Sequence, residues 1–255
     1  MLNFKTSSIL FVLAVISIIT FHYAAFFSLW WLILPILVYK TLIVYGSAKI
    51  NSNFYCKTYC EGKTNEKKIA LTFDDGPSSF TPKILETLRN YQATATFFVI
   101  GKNIKENEAI LKQTVSEGHT IGNHTFTHSY FIDFKNTRQF KEELHKTNEA
   151  VFDVTGQHLT LFRPPYGVTT PHLVKAAKAL NYKIIGWNIR SLDTTKDSEE
   201  VIYKRVTQQI KPGAIILFHD TSEKTNAVLK RTLEFAKEKQ FEIVGLQELL
   251  NSHIS

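Results

Sequence analysis

From Ser7 to Tyr45 the chain is almost uniformly apolar, with Lys40 as the charged interruption. A helix that crosses a bilayer needs roughly 20 apolar residues, and this stretch is nearly twice that. The pair His22-Tyr23 divides it, so the pattern predicts two membrane spans, about 8–27 and 29–45, joined by a very short turn. Trp30, Trp31, Tyr39 and Tyr45 suit anchors at the lipid–water boundary, and Pro35 is tolerable inside such a helix. A cleaved signal sequence is the competing reading. It is weakened by the poor basic head, Lys5 alone, and by an apolar run too long for the purpose.

Residues 46–65 read as a polar connector, and 66–255 as one domain with a substantial core. Short runs of β-branched and aromatic residues predict strands at Ile69–Phe73, Ala95–Ile100, Leu161–Phe162, Lys183–Trp187, Ala214–Phe218 and Phe241–Val244, with a weaker one at Thr120–His124. Between them lie helical patterns at Thr81–Asn90, Glu106–Ser116, Arg138–Val154, Pro171–Leu180, Ser198–Ile210 and Thr225–Lys239, and a short last one at Leu246–Asn251. Pro82 suits a first helical turn, and Gly118 and Gly156 suit helix ends. Strands alternating with helices imply parallel pairing through crossovers. The expected fold is therefore α/β, a closed or nearly closed β/α barrel, with a doubly wound open sheet as the alternative. No glycine-rich phosphate loop follows the first strand, so a nucleotide fold has little support.

Charge refines the picture. Of the net +7, residues 1–65 carry five lysines against Glu61 alone, while the rest of the chain is nearly balanced. A basic strip beside an apolar segment suits anionic lipid, and with no arginine cluster no nucleic-acid partner is expected. The lysines after residue 39 favour a cytoplasmic connector by the positive-inside bias, in conflict with the site chemistry below, which favours the outside. Cys56 and Cys60 leave two free thiols or a local disulfide equally open, and without nearby histidines they make a poor zinc site. Nothing in the pattern specifies an oligomeric state.

The chemistry sits where strands end. Asp74 and Asp75 follow the first strand, His124 the short third, Arg163 the fourth, and His219 and Asp220 the strand ending at Phe218, with Asp193 soon after Trp187. In a β/α barrel these ends open on one face, and that face carries function. His124-Thr125-Phe126-Thr127-His128 spaces two imidazoles four apart, which on a helical turn would place both on one side. Two imidazoles and one carboxylate, naturally Asp75, form an open ligand set for zinc or another divalent transition metal such as cobalt or nickel. Asp74 is then free to take a proton from water. Arg163, heading the rigid turn Arg163-Pro164-Pro165-Tyr166-Gly167, could pair with a carboxylate and keep it ionised. His219 is a candidate acid for a departing amine. Taken singly, each group also reads as a plain turn or rim residue.

Thr72-Phe73-Asp74-Asp75-Gly76, His124-Thr125-Phe126-Thr127-His128, Arg163-Pro164-Pro165-Tyr166 and Leu217-Phe218-His219 together resemble the polysaccharide deacetylase family with the NodB homology domain (carbohydrate esterase family 4). The resemblance covers about residues 66–250. It implies a distorted (β/α)7-type barrel and metal-dependent removal of N-acetyl groups from a polysaccharide such as peptidoglycan, a chitin-like polymer or a surface glycan. It also implies a metal on Asp75, His124 and His128, Asp74 as base, His219 as acid and Arg163 as the partner of Asp74. The Tyr166 backbone N–H would support the oxyanion. Leu217 would receive the acetyl methyl, and Pro165, Tyr166 and Trp187 would line the sugar groove. The sequence departs from the family after Trp187, where Arg190 and Thr194 replace an acid and a tryptophan; Asp193 remains and is expected to orient His219. The rival readings are a hydrolase of a small non-glycan amide on the same barrel and a non-catalytic, membrane-tethered glycan-binding module. Adjacent acids with two histidines fit a glycosidase poorly.

Overall fold

The computed structural model describes residues 3–25 and 27–251. The parts of the expected segments that fall on residues 1, 2, 26 and 252–255 lie outside the described residues.

Two N-terminal helices, α1 (Phe4–Ala25) and α2 (Ile33–Ala48), form a hairpin through a 3-10 turn at Leu29–Leu32. The stretches Phe4–Ala25 and Leu29–Ala48 are long and apolar enough to be candidate membrane spans. Each reaches about a turn closer to the catalytic part than the apolar pattern alone suggests. The helices meet through stacked rings of Phe11 and Tyr39, 4.5 Å apart, and a 2.8 Å hydroxyl pair between Ser8 and Tyr39. Most of their large apolar side chains face outward.

The remaining chain alternates strands and helices: β1 (Lys68–Asp74), α3 (Thr81–Asn90), β2 (Ala95–Val99), α4 (Gly101–Ile104), α5 (Glu108–Ser116), β3 (Thr120–Asn123), α6 (Thr137–Thr155), β4 (Leu161–Phe162), α7 (Pro171–Ala179), β5 (Lys183–Ile184), β6 (Ile189–Arg190), α8 (Glu199–Thr207), β7 (Ile215–His219), α9 (Glu223–Glu238), β8 (Glu242–Ile243) and α10 (Leu246–Asn251). The strands are parallel in the order β5-β4-β3-β2-β1-β7-β6, with β8 beside the start of β1. This is the curled parallel half-barrel of a (β/α)7-type fold.

The expected strand Lys183–Trp187 is cut short at Ile184, and the next strand begins only beyond it, at Ile189. β5 lies at one end of the sheet order and β6 at the other, so the chain between them must leave one edge and cross to the opposite one. The seam is partly filled by the connector, for which the sequence pattern predicts no strand. Tyr59 bridges Ile185 and Glu61 bridges Ala214, while Gly186 N–H donates to the Tyr59 carbonyl at 2.8 Å.

Alternation along the strands sorts side chains between two environments. Ile69, Leu71, Phe73, Phe97, Val99, Ile216 and Phe218 face the helices in the main core. Ala70, Phe98, Leu161, Ile185 and Ile215 fill the barrel interior. By the same two-residue period Asp74, His124, Arg163, Leu217 and His219 fall on the interior side, at or just beyond the strand ends. The interior is tight: a Cβ on Gly122 would collide with the Phe98 ring. The helices α6 to α9 begin on side-chain caps, at Asn136, Thr170, Ser198 and Ser222. α6 carries a full capping box between Asn136 and Gln139 and ends at Gly156, in the left-handed region at φ 71°.

Candidate active site

Asp74 is the last residue of β1 and Asp75 the first beyond it, with Asp75 in the left-handed region at φ 76°. That turn separates the two carboxylates. Asp74 stays in the barrel, 3 % exposed, and accepts from Arg163 Nη1 at 2.7 Å. Arg163 is fully buried, and it also donates to the Thr72 hydroxyl at 2.8 Å and the Gly186 carbonyl at 2.9 Å. Its guanidinium lies 4.2 Å from the centre of the Phe98 ring. A buried charge needs such compensation, since desolvation is expensive for an ion left unpaired.

Asp75 swings toward the histidines. Its Oδ1 lies 3.4 Å from His124 Nε2 and 3.5 Å from His128 Nε2. One ligand atom from each of these residues falls within 4.8 Å of the others. The spacing reading of a helical turn does not hold. Residues 124–128 form a loop in which Thr125 and His128 take φ of 66° and 47°, and that looping brings the rings to 4.9 Å. A helix here would lose the interior position that His124 takes at the tip of β3.

The trio fits a divalent cation. His124 Nδ1 donates to the Arg163 carbonyl at 2.8 Å, which fixes the tautomer and leaves Nε2 to face Asp75. Asp75 Oδ1 is buried without a hydrogen-bond partner, the state of a ligand oxygen aimed at something else. Burial acts to raise the Asp75 carboxyl, but the close approach of His124 and the charges of His124, His219 and His128 outweigh it and bring it down to about 2. Burial would lower His124, yet Asp74 and Asp75 together raise it. The same negative potential that retains a proton there would attract a cation. His128 is lowered, by burial and by the neighbouring His124.

His219 closes the opposite side of the mouth. Its Nδ1 is 2.8 Å from Asp193 Oδ1, and its backbone N–H donates to Asp193 Oδ2 at 2.8 Å. Thr225 and Ser191 hydroxyls also donate to Asp193, at 2.7 and 2.8 Å. Burial alone would depress His219, but the Asp193 bond and charge dominate and lift it to about 8. Arg190 and Thr194, the two departures, are both exposed, and the Arg190 guanidinium lies 5.7 Å from the Trp187 ring centre.

Of the expected groove residues, Tyr166 adopts φ 57° and sets its ring edge-on to His128 at 4.8 Å. Pro165 is buried beside it. Trp187 is half-buried and packs so close to Gly167 that a Cβ there would strike its ring. Leu217 is buried on β7, two residues before His219.

Sequence reasoning missed two supports, Glu143 and Asn123, and placed Asp220 only at a strand end, with no role. Glu143 on α6 accepts from Phe126 N–H at 3.0 Å, Thr127 N–H at 2.8 Å, Thr127 Oγ1 at 2.9 Å and Lys135 Nζ at 2.7 Å. Its signal was available: an acid among Phe140, Leu144, Thr147 and Val151 on the buried stripe of an amphipathic helix. Asn123 accepts from Thr125 N–H at 2.9 Å and donates to the Leu144 carbonyl at 2.8 Å. Asp220 accepts from Thr81 Oγ1 at 2.6 Å, crowds the space where Gly76 has no side chain, and is raised by burial to about 7.

The family model described as polysaccharide deacetylase matches residues 61–185. A peptidoglycan-N-acetylmuramic acid deacetylase of Bacillus subtilis is 34% identical over 194 residues, covering 74% of this chain and 73% of that protein. The chain belongs to the polysaccharide deacetylase family. Another family member, the peptidoglycan-N-acetylglucosamine deacetylase PgdA of Listeria monocytogenes, is 38% identical over 190 residues. There the chain spans 74% of its own length but only 40% of the relative. Among solved structures, a CE4 family pseudoenzyme from Bacillus anthracis superposes with a TM-score of 0.73 at 29% identity, covering 78% of this chain and 70% of that one.

Proposed function

We propose that this chain is a membrane-held hydrolase that removes acetyl groups from the N-acetylated sugars of a polysaccharide. Peptidoglycan is the foremost candidate, by the names of its relatives. The observation that carries the reading is the meeting of Asp75, His124 and His128 with Asp74 on one side of the barrel mouth and His219 on the other. The non-catalytic alternative would need a lost ligand, base or acid, and all five groups are in place.

Bound by Asp75, His124 and His128, a divalent metal, zinc first and cobalt or nickel next, would supply Lewis acidity and lower the pKa of a water. Asp74, fixed by Arg163, takes a proton from the attacking water as its oxygen bonds to the acetyl carbon. The Tyr166 N–H supports the charge that gathers on the carbonyl oxygen. His219, its Nδ1 held by Asp193, delivers a proton from Nε2 to the sugar nitrogen as the C–N bond breaks. Acetate and the free amine result. Leu217 receives the acetyl methyl, while Pro165, Tyr166 and Trp187 flank the sugar.

The organisation that supports this is a membrane region over 1–45, a connector over 46–65 and the deacetylase domain from 66 onward. The lysine-rich strip beside the spans meets anionic lipid. The catalytic domain faces the extracytoplasmic side, where a glycan substrate lies.

The test is acetate release from N-acetylglucosamine oligomers by the full-length protein in detergent. Chelation should abolish release and zinc restore it. Asp74→Asn should bind zinc by calorimetry yet release no acetate. Zinc binding with no release by the parent protein would move the reading to a different amide, and failure to bind any transition metal would overturn the ligand assignment.

A further inference from the structure

The candidate spans do not hang from the barrel on a loose tether. Both of their barrel-side ends are built into it. Phe4 N–H, at the start of α1, donates to the Phe54 carbonyl at 2.9 Å, and the Phe4 ring meets Tyr55 at 5.1 Å. At the end of α2, the Ser47 carbonyl accepts from Thr169 N–H at 3.0 Å and the Gly46 carbonyl from Thr169 Oγ1 at 3.3 Å. Gly46 itself packs so closely on Phe54 that a Cβ would collide with the ring. Thr169 lies three residues beyond Tyr166. Three residues of chain reach at most about 10 Å, so the mouth of the site is close to the foot of α2.

A second feature packs against α7. The segment after His128 exposes three large rings: Tyr130 at 87%, Phe131 at 75% and Phe134 at 87%. Between them Ile132 is fully buried, in the same apolar cluster as Leu173 and Val174 of α7, against which Tyr55 and Cys56 also pack. Thr137 and His172 join the two elements at 3.0 Å. The aromatic segment is therefore linked through one apolar cluster to Tyr55, which meets the feet of both spans at Phe4 and Ser47. Tyr130 stacks on Tyr166 at 6.3 Å, which makes the segment continuous with the rim of the site. Exposed aromatic rings beside a span are the composition of a lipid–water boundary. Lys49, set 5.5 Å over the Tyr45 ring at the end of α2, adds a cation at the same level.

We propose that the barrel is seated on the bilayer by the feet of α1 and α2 and by Tyr130, Phe131 and Phe134. The site then opens at the headgroup layer, onto N-acetylated sugars that lipid holds there. The substrate half of this inference rests on the deacetylase reading; the seating half does not.

The seating is tested with the full-length protein in phosphatidylglycerol–phosphatidylethanolamine vesicles whose acyl chains carry bromine close to the headgroup. Phe134→Trp is made in a background of Trp30→Phe, Trp31→Phe and Trp187→Phe. Its emission should fall about two-fold relative to unbrominated vesicles, as for an interfacial ring. Emission unchanged by bromine would overturn the seating. If Phe131→Ala and Phe134→Ala then raised KM for free oligomers, the rings would belong to a sugar platform instead.

The substrate half is tested by acetate release from an N-acetylated sugar on a lipid carrier in the same vesicles and from the same sugar free in solution. The foot is detached by Gly46→Leu, which collides with Phe54, together with a long glycine-serine insertion after Ala48. Detachment should cut the rate on lipid-held sugar about ten-fold and leave the free oligomer unchanged, the signature of lost effective concentration. Equal effects on both sugars would overturn the substrate half. Release from neither sugar by the parent chain would remove the deacetylase reading itself, with the quenching result still deciding the seating.

Discussion

Both carboxylate oxygens of Glu143 are engaged by Thr127, one by its backbone N–H at 2.8 Å and the other by its hydroxyl at 2.9 Å. Thr127 stands immediately before His128, so a residue on a helix at the back of the site sets the path of the loop that carries two of the three candidate ligands. Burial would raise Glu143, but Lys135 and Thr127 outweigh it and hold the group ionised. Glu143→Gln should therefore weaken zinc affinity by about 10–100-fold while the chain stays folded. Competition with a chromophoric chelator measures this, and an unchanged affinity would refute the role.

The buried pair of Arg163 and Asp74 predicts an asymmetric double-mutant cycle. Arg163→Met strands a carboxylate in the barrel and should cost about 3–5 kcal/mol in urea unfolding. Asp74→Asn combined with Arg163→Met should recover much of that loss, because no charge is then left uncompensated. Simple additivity of the two single costs would show that the pair is not coupled.

His219 predicts a pH dependence with a definite sign. Its folded value, about 8, lies above the ordinary 6.5 of a free histidine. The proton is thus held below pH 8, and an acid role for His219 puts the alkaline limb of the rate profile near that pH. The stability from this pair is fully present below the unfolded value and disappears as pH rises through the folded one. For the metal-free protein it amounts to on the order of 2 kcal/mol. Asp193→Asn should move the alkaline limb downward by more than one pH unit, or about ten-fold in proton concentration. A limb that stayed in place would exclude Asp193 as the partner that sets it.

Much of this architecture was legible because strands reveal themselves by composition and barrels concentrate chemistry at strand ends. Asp74, Asp75, His124, Arg163 and His219 could be picked out that way. The rest depends on contacts distant in sequence. Lys183–Trp187 looks like one strand because its side chains suit one, but β5 ends at Ile184, beyond which Ile185 and Gly186 meet the connector at Tyr59, a contact far away in sequence. The four residues of α4 are too few to show a helical period. The His124–His128 spacing suggests a helix, yet the loop is shaped by Asn123 and Glu143, neither of which is visible from the motif.

Gly122 offers a check on how closely the interior is packed. Gly122→Ala sets a methyl group against the Phe98 ring, which lies under the Arg163 guanidinium. Overpacking of this kind should cost about 1–3 kcal/mol, read as a lower urea midpoint. It should also reduce acetate release, because Arg163 moves with Phe98. A variant as stable and active as the parent would show that the interior has slack.

The seam between β5 and β6 gives the connector a mechanical meaning. Tyr59 takes the Gly186 N–H at 2.8 Å, while the Gly186 carbonyl takes Arg163 Nη2 at 2.9 Å. Arg163 in turn grips Asp74 at 2.7 Å. Tension applied between the N-terminal helices and a polymer held in the cleft would pass along this line of bonds. The bonds of Thr169 to the foot of α2 would part first and the zipper at Tyr59 next, and behind it lies the guanidinium on which Asp74 depends.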